Sequence, residues 1–141
     1  MNSDFWDILH DGFIKAISGH VPGDVVLTIG IEYLCEQLPT AGATIKATLL
    51  GCRLLEYTPF DESTVTDIQR IAEHEVEVLS ATAEADRITV HCANGSLDVA
   101  YDAVKVRTIE GNSVSQTELE AAANRSVAQW LEENRGGQVS G

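Results

Sequence analysis

The chain predicts an α+β fold: an antiparallel β-meander of about six or seven strands, either a sheet or a partly closed barrel, with a C-terminal α-helix packed on one face. Three stretches carry that prediction. Asn94-Gly95 stands between Ile88–Cys92 and residues 97–101, and both flanks alternate apolar with polar positions. Asn-Gly tolerates the positive φ angles of a type I′ turn, so the pair reads as a hairpin. Residues 24–33 alternate without a break, Val25, Leu27, Ile29, Ile31 and Tyr33 opposing Val26, Thr28, Gly30 and Glu32, as a half-buried antiparallel strand does. Ser115-Gln-Thr-Glu118 fits a capping box, and Leu119, Ala122, Ala123, Val127, Trp130 and Leu131 recur behind it at helical spacing, one apolar stripe for the sheet to receive.

Taken in order, Ser3-Asp4 caps a short helical turn in which Phe5, Ile8 and Leu9 share a face, and His10-Asp11-Gly12 breaks it. Residues 13–18 read as a first strand, turned back at Pro22-Gly23, where proline presets φ and glycine takes the positive-φ position. After the 24–33 strand, Pro39 rules out a continuous ladder through residues 38–43. Residues 43–57 are long for one strand. Ile45, Ala47 and Leu49 hold one phase, which slips at Leu50-Gly51, so that Cys52 and Leu54 become the apolar positions; a β-bulge at Gly51 accounts for the slip. Residues 61–74 read as a short helix carrying Ile68, Ile71 and Ala72 behind Thr64 or Thr66, with an extended loop as the alternative. Val76 and Val78 alternate with Glu75 and Glu77 in the next strand, Ala83-Glu-Ala-Asp86 turns it back, and after the hairpin Val104 and Val106 alternate with Lys105 and Arg107 up to Glu110-Gly111-Asn112. Asn134-Arg-Gly-Gly137 is expected to stop the final helix. Residues 1–134 are thus expected to form one domain and 135–141 a flexible tail.

At 141 residues the chain can bury a core without disulfides or metals. Its three cysteines, Cys35, Cys52 and Cys92, are odd in number and far apart, which supports neither a zinc site nor a disulfide framework; Cys92, on an apolar face, reads as a small core residue. No apolar run approaches the roughly 18 residues of a membrane span. The start, Met1-Asn-Ser-Asp-Phe-Trp-Asp, carries acids where a signal peptide carries bases, so a cytoplasmic location is expected. The net charge of −13 repels phosphate backbones, arguing against nucleic acid, and suits a basic protein partner, since complementary charge speeds encounter.

No Gly-rich phosphate loop, HExxH, GxSxG or EF-hand pattern occurs. No catalytic residue, metal ligand or cofactor site is therefore assigned. Two places remain as candidate binding residues. His10 and Asp11 pair a ring nitrogen with a carboxylate, although metal chemistry of that kind needs further ligands on helices, and a turn into the first strand explains the pair as well. Arg53, Tyr57 and Phe60 place a guanidinium near two aromatics, the residue types favoured as interface anchors; closing the end of the core is the alternative. His74 lies among Glu73, Glu75 and Glu77 on a solvated face, and His91 takes the polar phase of its strand, exposed or paired across it.

Phe5-Trp-Asp-Ile-Leu-His-Asp-Gly12, Gly51-Cys-Arg-Leu-Leu-Glu-Tyr57 and the Ser115-Gln-Thr-Glu118 helix start give a chain that resembles small acidic bacterial proteins of uncharacterised type, some of them immunity proteins of contact-dependent or polymorphic toxin systems. That resemblance implies a non-catalytic module that masks a basic partner, and it carries over no active-site residue. The other expectation is a small-ligand-binding, barrel-like domain whose concave face is lined by Tyr33, Tyr57 and Tyr101.

Overall fold

The computed structural model describes residues 2–139, in which nine strands and four helices follow the order α1 (Asp4–Ile8), β1 (Phe13–Gly19), β2 (Gly23–Gly30), α2 (Glu32–Cys35), β3 (Thr44–Cys52), β4 (Leu54–Pro59), α3 (Ile68–Glu73), β5 (Val78–Ala83), β6 (Ile88–Cys92), β7 (Gly95–Ala100), β8 (Ala103–Thr108), β9 (Ser113–Val114) and α4 (Gln116–Val139). The class is α+β and every named strand pairing is antiparallel, as the sequence predicts. The strands divide into two sheets, β1-β2-β3-β8-β9 and β4-β7-β6-β5, which do not close into a barrel.

The division is made at one corner. β3 continues into β4 and β7 into β8, so the pair β3·β8 in the first sheet becomes the pair β4·β7 in the second. Asp102 N–H donates to Leu50 O at 2.8 Å and Arg53 N–H to Ala100 O at 2.9 Å, so backbone bonding runs on through the bend. Gly51 sits in it at φ 62°, where an added Cβ would run into the Asp102 carboxylate. The irregularity expected at Gly51 is therefore the place where the chain changes sheet. It does not make Leu54 an inward residue: the bend through Arg53 shifts the phase once more, and Leu55 and Tyr57 are buried instead.

The hairpin β6–β7 forms, with Val90 opposite Leu97 and Ile88 opposite Val99, all four buried. Its turn differs from expectation. Cys92 pairs with Gly95, so Ala93 and Asn94 occupy the centre, and neither Asn94 nor Gly95 has a positive φ. Gly95 is required for another reason: a Cβ there would sit 2.9 Å from Pro59 Cα and 2.9 Å from Tyr57 Oη, on the neighbouring strand β4. The β2 strand ends at Gly30, earlier than expected; Tyr33 belongs to α2, a helix with no clear sequence signal. Helix α3 forms with Asp67 as its cap, accepting from Gln69 N at 2.9 Å and Arg70 N at 3.3 Å, in place of Thr64 or Thr66.

Side chains from both sheets, among them Ile14, Leu27, Ile29, Ile45 and Leu49 from one and Tyr57, Ile88, Val90, Leu97 and Val99 from the other, make one buried cluster. All three cysteines are buried and free. The capping box of α4 is as expected: Glu118 N–H donates to Ser115 Oγ at 3.1 Å, and Ser115 N–H reaches Glu118 Oε1 at 3.4 Å. The stripe behind it divides. Leu119 and Ala122 enter the core, while Val127, Trp130 and Leu131 are 58%, 60% and 50% exposed. Beyond Leu119 and Ala122 the helix lies against α1 and α2 instead of along the sheet. It also runs through Gly136 and Gly137 to Val139, past the expected stop; the last two residues of the expected tail, Ser140 and Gly141, lie outside the described residues.

Candidate functional site

Residues 7–14 form a seam between the sheets, and that seam builds the site. They run along the outer edge of β5, where an unpaired strand edge would otherwise invite another chain. Gly12 O accepts from Val78 N at 2.9 Å, Asp11 N–H donates to Val78 O at 2.8 Å, and Ile14 N–H donates to Val76 O at 2.9 Å. Two side chains continue the ladder. His10 Nδ1 lies 2.6 Å from Leu79 O, and Asp7 Oδ1 accepts from Ala81 N at 3.1 Å. A carbonyl only accepts, so His10 carries its proton on Nδ1. Its Nε2 then faces Asp11 Oδ2 at 3.4 Å, an ion pair whenever the ring is protonated. Asp11 itself holds φ 67°, a left-handed conformation that aspartate tolerates better than most residues. The His10-Asp11 turn is thus both a strand-edge cover and an exposed polar pair.

Tyr33 locks α2 to this turn. Its hydroxyl donates toward Ile8 O at 3.2 Å and toward His10 O. Burial first, and the Asp11 carboxylate second, push the Tyr33 phenol up to about 12, which keeps it a neutral donor. On one side of Tyr33 and Asp11 opens a groove of about 580 Å³, with Ile8, Val127 and Trp130 among its walls. On the other side lies a cleft of about 460 Å³, walled by Phe13, Lys15, Glu32 and Glu36 among others. Asp11 and Tyr33 line both, so groove and cleft adjoin as a two-part trough. Helix α4 is held over it by polar contacts to the loop after α2: Arg125 Nη2 donates to Gln37 O at 2.7 Å, and Gln37 Nε2 donates to Gln129 Oε1 at 2.7 Å.

The second group of candidate residues is not brought together. Arg53 sits at the sheet corner, pairing with Asp102 at 3.0 Å in an exposed salt bridge. Phe60, 64% exposed, follows the far end of β4, seven residues and about 23 Å of strand away. Tyr57 between them is buried, its ring 5.1 Å from that of His74. Tyr57 therefore belongs to the core, and Arg53 and Phe60 do not share a surface with it. Tyr101 is buried too, accepts a 2.9 Å hydrogen bond from Trp6 Nε1 and borders a separate cleft of about 240 Å³ beside Phe5 and Asp102, so the three tyrosines expected on one concave face do not line a common cleft. The space between the sheets is occupied by the aliphatic cluster.

Two other histidines have separate partners: His91 Nε2 lies 2.9 Å from Thr82 Oγ1, across the β5–β6 pair, and His74 packs on Tyr57. Burial pushes the Cys35 and Cys52 thiols up, and Cys92 up to about 12, so these thiols stay protonated and unreactive at neutral pH. Among the described residues no group of three or more His, Cys, Asp or Glu side chains is placed to hold a metal ion, and no helix is long and apolar enough to cross a membrane. Comparison with protein-family models, with curated proteins and with solved structures finds no match to this chain.

Sequence reasoning reached His10 and Asp11 but missed the walls around them. Alternation puts Tyr33 on a strand and the helical stripe puts Val127 and Trp130 on a face for the sheet to cover, whereas Tyr33 lies in α2 and the other two are exposed. Glu32 and Glu36, one helical turn apart, carried the only local signal for an acidic wall.

Proposed function

We propose that this chain is a non-catalytic, cytoplasmic protein-binding module, immunity-like in action, whose acidic surface masks a basic protein partner. The observation that carries the reading is the exposed apolar stretch of Val127, Trp130 and Leu131 on α4, its Val127 and Trp130 beside Asp7 and Asp11, on a chain of net charge −13. Large apolar side chains left in water next to a polar rim are the usual composition of a contact surface. The excess of acid supplies long-range attraction and selects the sign of the partner.

The reading is tested by affinity capture from cells that make the protein, at low and at raised salt. It expects a basic protein that rebinds after purification at fixed stoichiometry, with an association rate that falls steeply as salt rises. Recovery of no partner, or of an acidic one, contradicts it.

A further inference from the structure

We propose that the trough around Asp11 and Tyr33 docks a basic segment of a partner protein that carries a bulky apolar anchor, an inference that rests on the reading of the chain as an acidic binding module. The trough has two chemically different ends. The α4 end offers apolar walls, Ile8, Val127 and Trp130, and the groove there, about 580 Å³, has room for a large side chain. The α2 end offers Glu32 and Glu36, with Asp11 between the two ends. Among the described residues that line it, four carboxylates (Asp7, Asp11, Glu32 and Glu36) face one ammonium, Lys15. Asp7 is committed to Ala81 N and Asp11 lies 3.4 Å from His10 Nε2, which leaves Glu32 and Glu36 as the carboxylates without a partner among the described residues that line the trough.

Charge selects among occupants. A second copy would bring −13 against −13, with Glu132 and Glu133 exposed beside Trp130 on each α4, so like charges would meet around the same apolar strip. A Lys- or Arg-rich segment meets attraction at every carboxylate and can place a Leu or Phe in the groove, the arrangement of an amphipathic helix laid into an apolar trough. Rigidity favours it as well: Tyr33 is tied to two carbonyls, and the His10-Asp11 turn is tied to β5, so the floor is set before a ligand arrives.

The test is a titration of the full chain, labelled with ¹⁵N, with a synthetic 14-residue peptide of Leu and Lys at helical spacing, and with an all-Lys peptide as comparison. The two tryptophans provide an internal control, since Trp130 is exposed in the groove and Trp6 is fully buried against Tyr101. The proposal expects the Trp130 indole and the amides of residues 8–11 and 32–36 to move while the Trp6 indole stays. Trp130→Ala should weaken binding about tenfold or more, because buried aromatic anchors dominate such contacts. Asp11→Asn with Glu36→Gln should weaken it less and flatten its salt dependence. If the Leu/Lys peptide binds but its shifts spread over other acidic faces and Trp130→Ala has no effect, the docking site is overturned while the acidic module survives. If neither peptide binds, both readings fall. If the Trp130 indole moves with protein concentration alone, a second copy covers the trough and the proposal is overturned.

Discussion

Leu119 and Ala122 at the start of α4, and Val127, Trp130 and Leu131 further along it, belong to one helical stripe of one helix, yet the first two are sealed in the core and the other three stand half or more in water. Residue type and spacing do not separate them. What lies opposite does. The first turns meet the two-sheet core; the later turns have passed beyond it and meet α1 and α2, which leave a trough between themselves and the helix. The helix is attached there by hydrogen bonds to Gln37. An amphipathic period therefore states that a helix has an apolar face, and leaves open whether the fold or a partner covers it.

The largest effect that would sharpen this contrast is expected at Leu119. Leu119→Ala removes a buried side chain from a filled core and should cost about 2–5 kcal/mol in urea denaturation. Ser115→Ala should cost about 1 kcal/mol, since Glu118 N–H loses its capping oxygen. A third effect is local and depends on pH. Glu110 accepts from Ala41 N at 2.7 Å and from Thr40 Oγ1 at 2.9 Å, pinning the loop whose other end, Gln37, carries α4. The Ala41 amide, the Glu110 backbone amide and then the Thr40 hydroxyl hold its carboxyl down from 4.5 to about 2. Because the folded value is the lower one, this stabilisation is full above about pH 4.5 and is lost as pH falls through about 2. The Ala41 amide shift should therefore titrate near pH 2, and a midpoint near 4.5 would show that the pin is absent. The smallest effect is at Trp130: Trp130→Ala should change stability by no more than about 0.5 kcal/mol, the range for exposed positions. A loss comparable to that at Leu119 would break the comparison.

The same contrast explains what the sequence made legible. The β1–β2 and β6–β7 hairpins, the inward positions of β2, the α3 helix and the α4 capping box all rest on neighbours a few residues apart, and all form. The two-sheet division rests on the meeting of Gly51 with Asp102, fifty residues away, and local phase registers only an irregularity there. Gly95 reads as a turn residue and is needed for the approach of β4, again a distant strand. The trough was the least legible part. Its walls come from residues 7–15, 30–36, 43 and 123–130, and only His10 and Asp11, adjacent in sequence, announce themselves. Arg53, Tyr57 and Phe60 are the opposite case: they are close in sequence, but alternation along β4 and the corner at Arg53 send them to different places.

On this reading the core ends at Ala122, and residues 127–134 of α4 are a displayed surface. Hydrogen exchange along the helix tests it most directly, because protection reports how far each amide shares in global stability. Amides of residues 119–123 are expected to exchange only on global unfolding, and those of 127–134 orders of magnitude faster through local opening. Uniform global protection from 119 to 134 would contradict it.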